Sequence, residues 1–133
     1  MNELDNFEIW NKKKQNLHFN STFNAYPKIG EVWVAAVGKN IGFEQNGKGY
    51  DFQRPVLIIK KFNNHMMWIV PLTSIPKSLD FYYNYTDHDG NKVAAILAQL
   101  KLMSTKRLYR RSYRISKVEF SRIIKALQNM LDT

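Results

Sequence analysis

Arg54-Pro55-Val56-Leu57-Ile58-Ile59-Lys60-Lys61-Phe62-Asn63-Asn64-His65-Met66-Met67-Trp68-Ile69-Val70-Pro71-Leu72-Thr73-Ser74 reads as two apolar runs around a short polar turn. Runs of this length, rich in Ile and Val and bounded by turn residues, are the pattern of strands. Pro55 opens the first strand, where a missing N–H is tolerated. Asn63-Asn64 supplies the turn, so the pair is a hairpin. Its open end carries Arg54 on one strand and Thr73 and Ser74 on the other. A guanidinium there can grip a phosphate through two parallel hydrogen bonds, and a neighbouring hydroxyl can donate to the same group. Either residue could equally be structural: Arg54 an anchor for the preceding loop, Thr73 a strand-end cap.

Working outward, Pro27 to Gly30 predicts a turn into a strand over Glu31 to Val37. Residues 38–53 contain Gly38, Gly42, Gly47 and Gly49 among polar groups and read as one long loop. Beyond Ser74, Phe81 to Tyr85 and Lys92 to Ala98 form a second hairpin around Asp89-Gly90. Leu108 to Ile115 is a last strand. Ser116 and Glu119 have capping-box spacing. Phe120, Ile123, Ile124, Leu127, Met130 and Leu131 then form a helical stripe that must cover the sheet or a partner. At the other end Leu4, Phe7, Trp10, Lys14 and Leu17 trace one face of a helix, followed by a polar linker over 20–24. The expected organisation is therefore an N-terminal helical extension, 1–25, and a domain over 26–133. The fold class is α+β and mainly antiparallel β: a small SH3-like barrel with a C-terminal helix and an extra N-terminal one.

The chain has 133 residues, enough for a single domain with a real core. Twenty Lys and Arg against 11 Asp and Glu leave a formal charge of +9, which favours an acidic partner, nucleic acid above all. There is no cysteine, which excludes disulfides, thiolate zinc sites and cysteine nucleophiles. The first residues lack the apolar core of a signal peptide, and no run is long enough to span a bilayer, so a cytoplasmic protein without membrane contact is expected. The histidines, His18, His65 and His88, are far apart in sequence. Asp87-His88-Asp89 sits where a turn already calls for Asp, so no metal site and no cofactor is expected. Lys101, Lys106, Arg107, Arg110, Arg111 and Arg114 alternate with Tyr109 and Tyr113. That mixture suits single-stranded RNA, or an edge strand guarded by charge.

Several segments, taken in order, resemble the MazF/PemK family of toxins. They are Pro27-Lys28-x-Gly30-Glu31-Val32-Trp33-Val34, Gly42-x-Glu44-Gln45, Arg54 to Ile59, and Ile69 to Ser74. Ala98-Gln99-Leu100-Lys101-Leu102-Met103-Ser104 resembles the family's Gln-Ile-Arg-Thr-Ile-Asp segment. The resemblance covers about residues 26–131. It implies a homodimeric toxin of a type II toxin–antitoxin system that cleaves single-stranded RNA without metal and is neutralised by an acidic antitoxin. It also implies Arg54 and Thr73 as catalytic residues. Glu44, Gln45, Ser74, Gln99, Lys101, Lys106 and Arg107 would then contact RNA. The chain departs from the family pattern in three places. Ala98 stands where an acid usually precedes the glutamine, Lys101 replaces an arginine, and Ser104 replaces the closing acid. These departures keep a second class open: a non-catalytic module on the same fold that binds nucleic acid or protein, including gyrase poisoning.

Overall fold

The computed structural model describes residues 3–20, 25–38 and 53–132. Within them run helix α1 (Glu3–Asn20), strands β1 (Glu31–Ala36), β2 (Gln53–Lys61), β3 (Met66–Thr73), β4 (Tyr82–Thr86), β5 (Lys92–Ile96), β6 (Lys101–Ser104) and β7 (Leu108–Arg114), and helix α2 (Lys117–Leu131). All strand pairings are antiparallel, in the order β4-β5-β3-β2-β1-β7, with β6 also paired to β3. The outer edge of β3 is thus shared. Leu72 and Thr73 pair with β5, and Met66 to Ile69 pair with β6. The expected barrel is a curled sheet that does not close: among the described residues β4 and β7 have no pairing with each other.

The central strands are buried on both faces, which is why their apolar runs are continuous rather than alternating. Val56 and Ile58 of β2, Met67 and Ile69 of β3, and Trp33 and Ala35 of β1 pack with Met103 and Leu108 on one face. Leu57, Ile59, Val70, Leu72 and Val32 face the other way. There they meet β4, β5 and α2, the last through Ile123 with Phe120, Ile124 and Leu127. Met130 and Leu131 are exposed, so the apolar stripe of α2 stops short of its end. Ser116 caps α2 by accepting a hydrogen bond from the Glu119 N–H at 3.1 Å. The Glu119 carboxylate does not return to complete the box. It accepts instead from the Tyr83 hydroxyl at 2.7 Å, a tie from helix to sheet.

Both turns form for reasons of side-chain chemistry. Asn63 Oδ1 accepts from the N–H groups of His65 (2.7 Å) and Met66 (2.9 Å). Asp87 Oδ1 accepts from Asp89 and Asn91, while Gly90 adopts a positive φ of 82°. Asp87 therefore does the work of a turn, as its position suggests. β6 was not expected: it has only four residues, and its pattern is too short to register against its neighbours.

Pro27 to Glu31 is a third built turn. Gly30, at φ 88°, donates to the Ile58 carbonyl and accepts from the Ile115 N–H, both at 2.9 Å. The Glu31 carboxylate is buried. Burial alone would raise its pKa, but the Lys28 N–H at 2.6 Å, the Trp33 indole at 3.2 Å and the Arg111 guanidinium at 2.6 Å outweigh that and hold it low. Glu31→Ala strands the Lys28 N–H and the Trp33 indole and removes the partner of Arg111, and a loss of about 2–3 kcal/mol is expected in urea titration. With the folded pKa below the ordinary 4.5, this contribution is full above that pH and disappears as pH falls through the folded value. A midpoint unchanged by the substitution at pH 7 would refute the assignment.

Candidate active site

Arg54 enters β2 opposite Ala35 of β1. On its other side β2 pairs with β3 so that Val56 faces Pro71. Continuing that register two residues puts Arg54 opposite Thr73. The Arg54 side chain is buried, and its Nη1 donates to the Leu72 carbonyl at 3.4 Å. Burial lowers its pKa, and the nearby Tyr82 phenol pulls the other way. A guanidinium stays charged through such a shift. The result is a fixed positive charge in a partly dry setting, where it acts more strongly on an anion than it would in water. Thr73 Oγ1 accepts from the Ile75 N–H at 3.2 Å, which orients the hydroxyl and leaves its proton to donate. Ser74 follows it, exposed. The open end of the hairpin therefore carries a cation bonded at Leu72 and the oriented hydroxyl of the next residue.

Tyr82 belongs to this group and the sequence reading passed over it. Its signal lay in Phe81-Tyr82-Tyr83-Asn84-Tyr85. Tyr83 and Tyr85 pack toward α2 and β7, through Glu119 and Tyr113, so the strand's two-residue period turns Tyr82 the other way. The Tyr82 ring lies 5.1 Å from the ring of exposed Phe81, and Lys77 Nζ stands 5.9 Å from its centroid. This is a half-open aromatic surface with a cation over it, next to Arg54.

The other expected contacts fall into separate places. Gln99 sits in a single 3-10 turn, Leu97–Gln99, where the chain crosses from β5 to β6 along β3. Lys101 opens β6 opposite Ile69. Ala98 is exposed in the same turn, and Ser104 caps the next one by accepting from the Lys106 N–H at 3.2 Å. Lys106 and Arg107 lie on the far side of β1 from Arg54, beneath α1. Lys106 Nζ donates to the His18 carbonyl at 2.8 Å, and Arg107 Nη1 to the Ala36 carbonyl at 3.2 Å. Glu44 and Gln45 lie outside the described residues. Among the described residues no group of three His, Cys, Asp or Glu side chains could hold a metal ion, and no helix is long and apolar enough to cross a membrane.

The profile of the PemK-like, MazF-like toxins of type II toxin–antitoxin systems matches residues 28–131. The chain belongs to this family. In structure it is similar to MazF from Deinococcus radiodurans, with a TM-score of 0.66 at 19% identity over 82% of this chain and 99% of that one. It is also similar to MazF in a MazE–MazF structure from the same organism (0.62, 17%, over 82% and 98%). A third similar structure is a mycobacterial endoribonuclease in complex with its cognate antitoxin (0.60, 14%, over 80% and 95%). No curated protein matches the chain in sequence. Helix α1 precedes the matched segment.

Proposed function

We propose that this toxin is an endoribonuclease acting on single-stranded RNA, with Arg54 and Thr73 at its centre. The supporting observation is a buried guanidinium bonded to the Leu72 carbonyl, one residue from the Thr73 hydroxyl that the Ile75 N–H orients, at the mouth of the β2–β3 hairpin. RNA carries its own nucleophile. The 2′-oxygen attacks phosphorus as its proton leaves, a pentacoordinate transition state forms, and the bond to the 5′-oxygen breaks as that oxygen gains a proton. The products are a 2′,3′-cyclic phosphate and a 5′-hydroxyl. Arg54 neutralises the charge growing on the phosphoryl oxygens, and Thr73 holds the phosphate in line by donating to it. No step needs a metal. A 2′-deoxy substitution at the cleaved nucleotide is expected to abolish cutting there. Cleavage that persists at that position, or that ends in a 3′-hydroxyl, would overturn the mechanism.

Two partners follow from the same reading. Related structures hold a toxin with its antitoxin, and an acidic antitoxin segment suits a chain of charge +9. The second partner is another copy of the chain. Trp68 and Leu102 are opposite one another on β3 and β6, both exposed, and Phe62 meets Trp68 edge-on at 5.0 Å. With Met66 and Leu100 they form an apolar patch that we assign to the homodimer. Sedimentation at micromolar concentration is expected to show a dimer, and Trp68→Glu a monomer. A wild-type monomer would contradict this.

A further inference from the structure

We propose that α1 is itself an RNA-binding element. On this reading the pocket it forms with the turn ahead of β7 takes a phosphate-bearing nucleotide that flanks the scissile phosphate. The inference rests on the RNA-cleaving reading above and extends it to a segment that precedes the part matched by the family profile.

Trp10 anchors the helix. It is 5% exposed, packs with Ala36, and covers Gly38 at the end of the segment that leaves β1. The Arg107 guanidinium stacks on it at 5.5 Å from the ring centroid. From this joint, the C-terminal half of α1 and the Ser104–Arg107 segment enclose a pocket of about 410 Å³. Lys14, His18, Lys106 and Arg107 line it, and none of the described lining residues is acidic. Burial disfavours the charge on Arg107, and among the described residues its partners are a carbonyl and an aromatic face, not a carboxylate. A cation held this way gains most from an anion that arrives from outside. Ser104 adds a hydroxyl. At the mouth Phe19 is 76% exposed and packs edge-on against His18 at 4.5 Å. An exposed ring beside a cluster of cations is how single-stranded nucleic acid is held: phosphate on the charges, base on the ring.

The position fits the same strand of RNA. Leu108, one residue beyond Arg107, pairs with Ala35, and Ala35 pairs with Arg54. The Leu108 and Arg54 backbones are therefore two strand spacings apart, on the order of 10 Å, while the pocket's wall at Ser104, opposite Met66, extends toward the turn end of the β2–β3 hairpin.

The test measures binding of uncleavable 2′-O-methyl RNA of increasing length to the full chain, by fluorescence anisotropy at several salt concentrations. Binding is read without any need for cleavage, so the outcome is separate from that of the catalytic reading. Wild type is expected to gain affinity once the RNA is long enough to reach the pocket. Lys14→Glu and Phe19→Ala should lose most of that gain, about tenfold for the charge reversal, with a shallower salt dependence for Lys14→Glu. Lys125→Glu, on the exposed face of α2, matches the charge change and should stay within about twofold. Equal losses in Lys14→Glu and Lys125→Glu would overturn the proposal, because general charge would then explain them. Tighter binding by Lys14→Glu or Phe19→Ala would also overturn it, and would make α1 a block on the groove. So would a pocket that takes an acidic peptide and ignores RNA.

Discussion

Arg54→Ala is expected to lower the RNA cleavage rate by about 10²- to 10³-fold, the cost of deleting a preorganised donor aimed at transition-state charge. The loss should fall on the chemical step more than on binding, because in the proposed mechanism other cations hold the RNA backbone while Arg54 meets the reacting phosphate. Single-turnover kinetics with saturating protein separates the two. Folding is a fair concern, since Arg54 is buried and donates to the Leu72 carbonyl. Arg54→Lys answers it: the variant retains a charge near the same place and loses the two-pronged geometry. It should fold like wild type and recover only part of the rate. A fully active Arg54→Ala protein would remove this residue from the mechanism.

The second large effect is on stability. Gly38 has φ 88°, and a Cβ built there runs into the Trp10 indole. Gly38→Ala thus carries two penalties, about 1–2 kcal/mol for the left-handed backbone and about 1–3 kcal/mol for forcing Trp10 aside. A combined loss of about 2–5 kcal/mol is expected in urea titration. The pair should also couple. In a Trp10→Ala background the steric part has gone, so Gly38→Ala should cost only its backbone share. Strict additivity of the two substitutions would mean that α1 does not dock on Gly38 as described.

Most of the sheet was legible because its strongest signals are local. Val56 to Ile59 and Ile69 to Leu72 are buried on both faces, so their apolar runs stand out without any knowledge of neighbours. Ser116 and the turn at Asp87–Gly90 announce themselves through side-chain chemistry. What stayed hidden depends on tertiary placement. Leu4 sits on the expected apolar face of α1 yet is 65% exposed, because the helix docks chiefly through Trp10. Lys106 and Arg107 read as free groove residues. No local pattern could say that a helix 88 residues away would supply the carbonyl that Lys106 binds. The register at the Asn63-Asn64 turn, with Lys61 opposite Met67, would carry Arg54 to Ser74; a bulge between Ile58 and Lys60 shifts it by one residue to Thr73, and no local pattern announces that bulge. The approach of Tyr82 depends on how β5 and β4 extend the sheet beyond β3.

Ala98 is the departure that bears hardest on the chemistry. It is exposed, in the turn that leads to β6, so no carboxylate from that position can take the 2′-proton. That makes the reaction itself the central question. The most direct measurement incubates purified wild-type and Arg54→Ala proteins with a long single-stranded RNA in the presence of EDTA and reads the ends of the products. Discrete cuts by wild type, ending in 2′,3′-cyclic phosphate and lost in the variant, are the predicted result. No cutting by a folded wild-type protein that still binds the RNA would contradict the account and leave a binding module on a toxin fold.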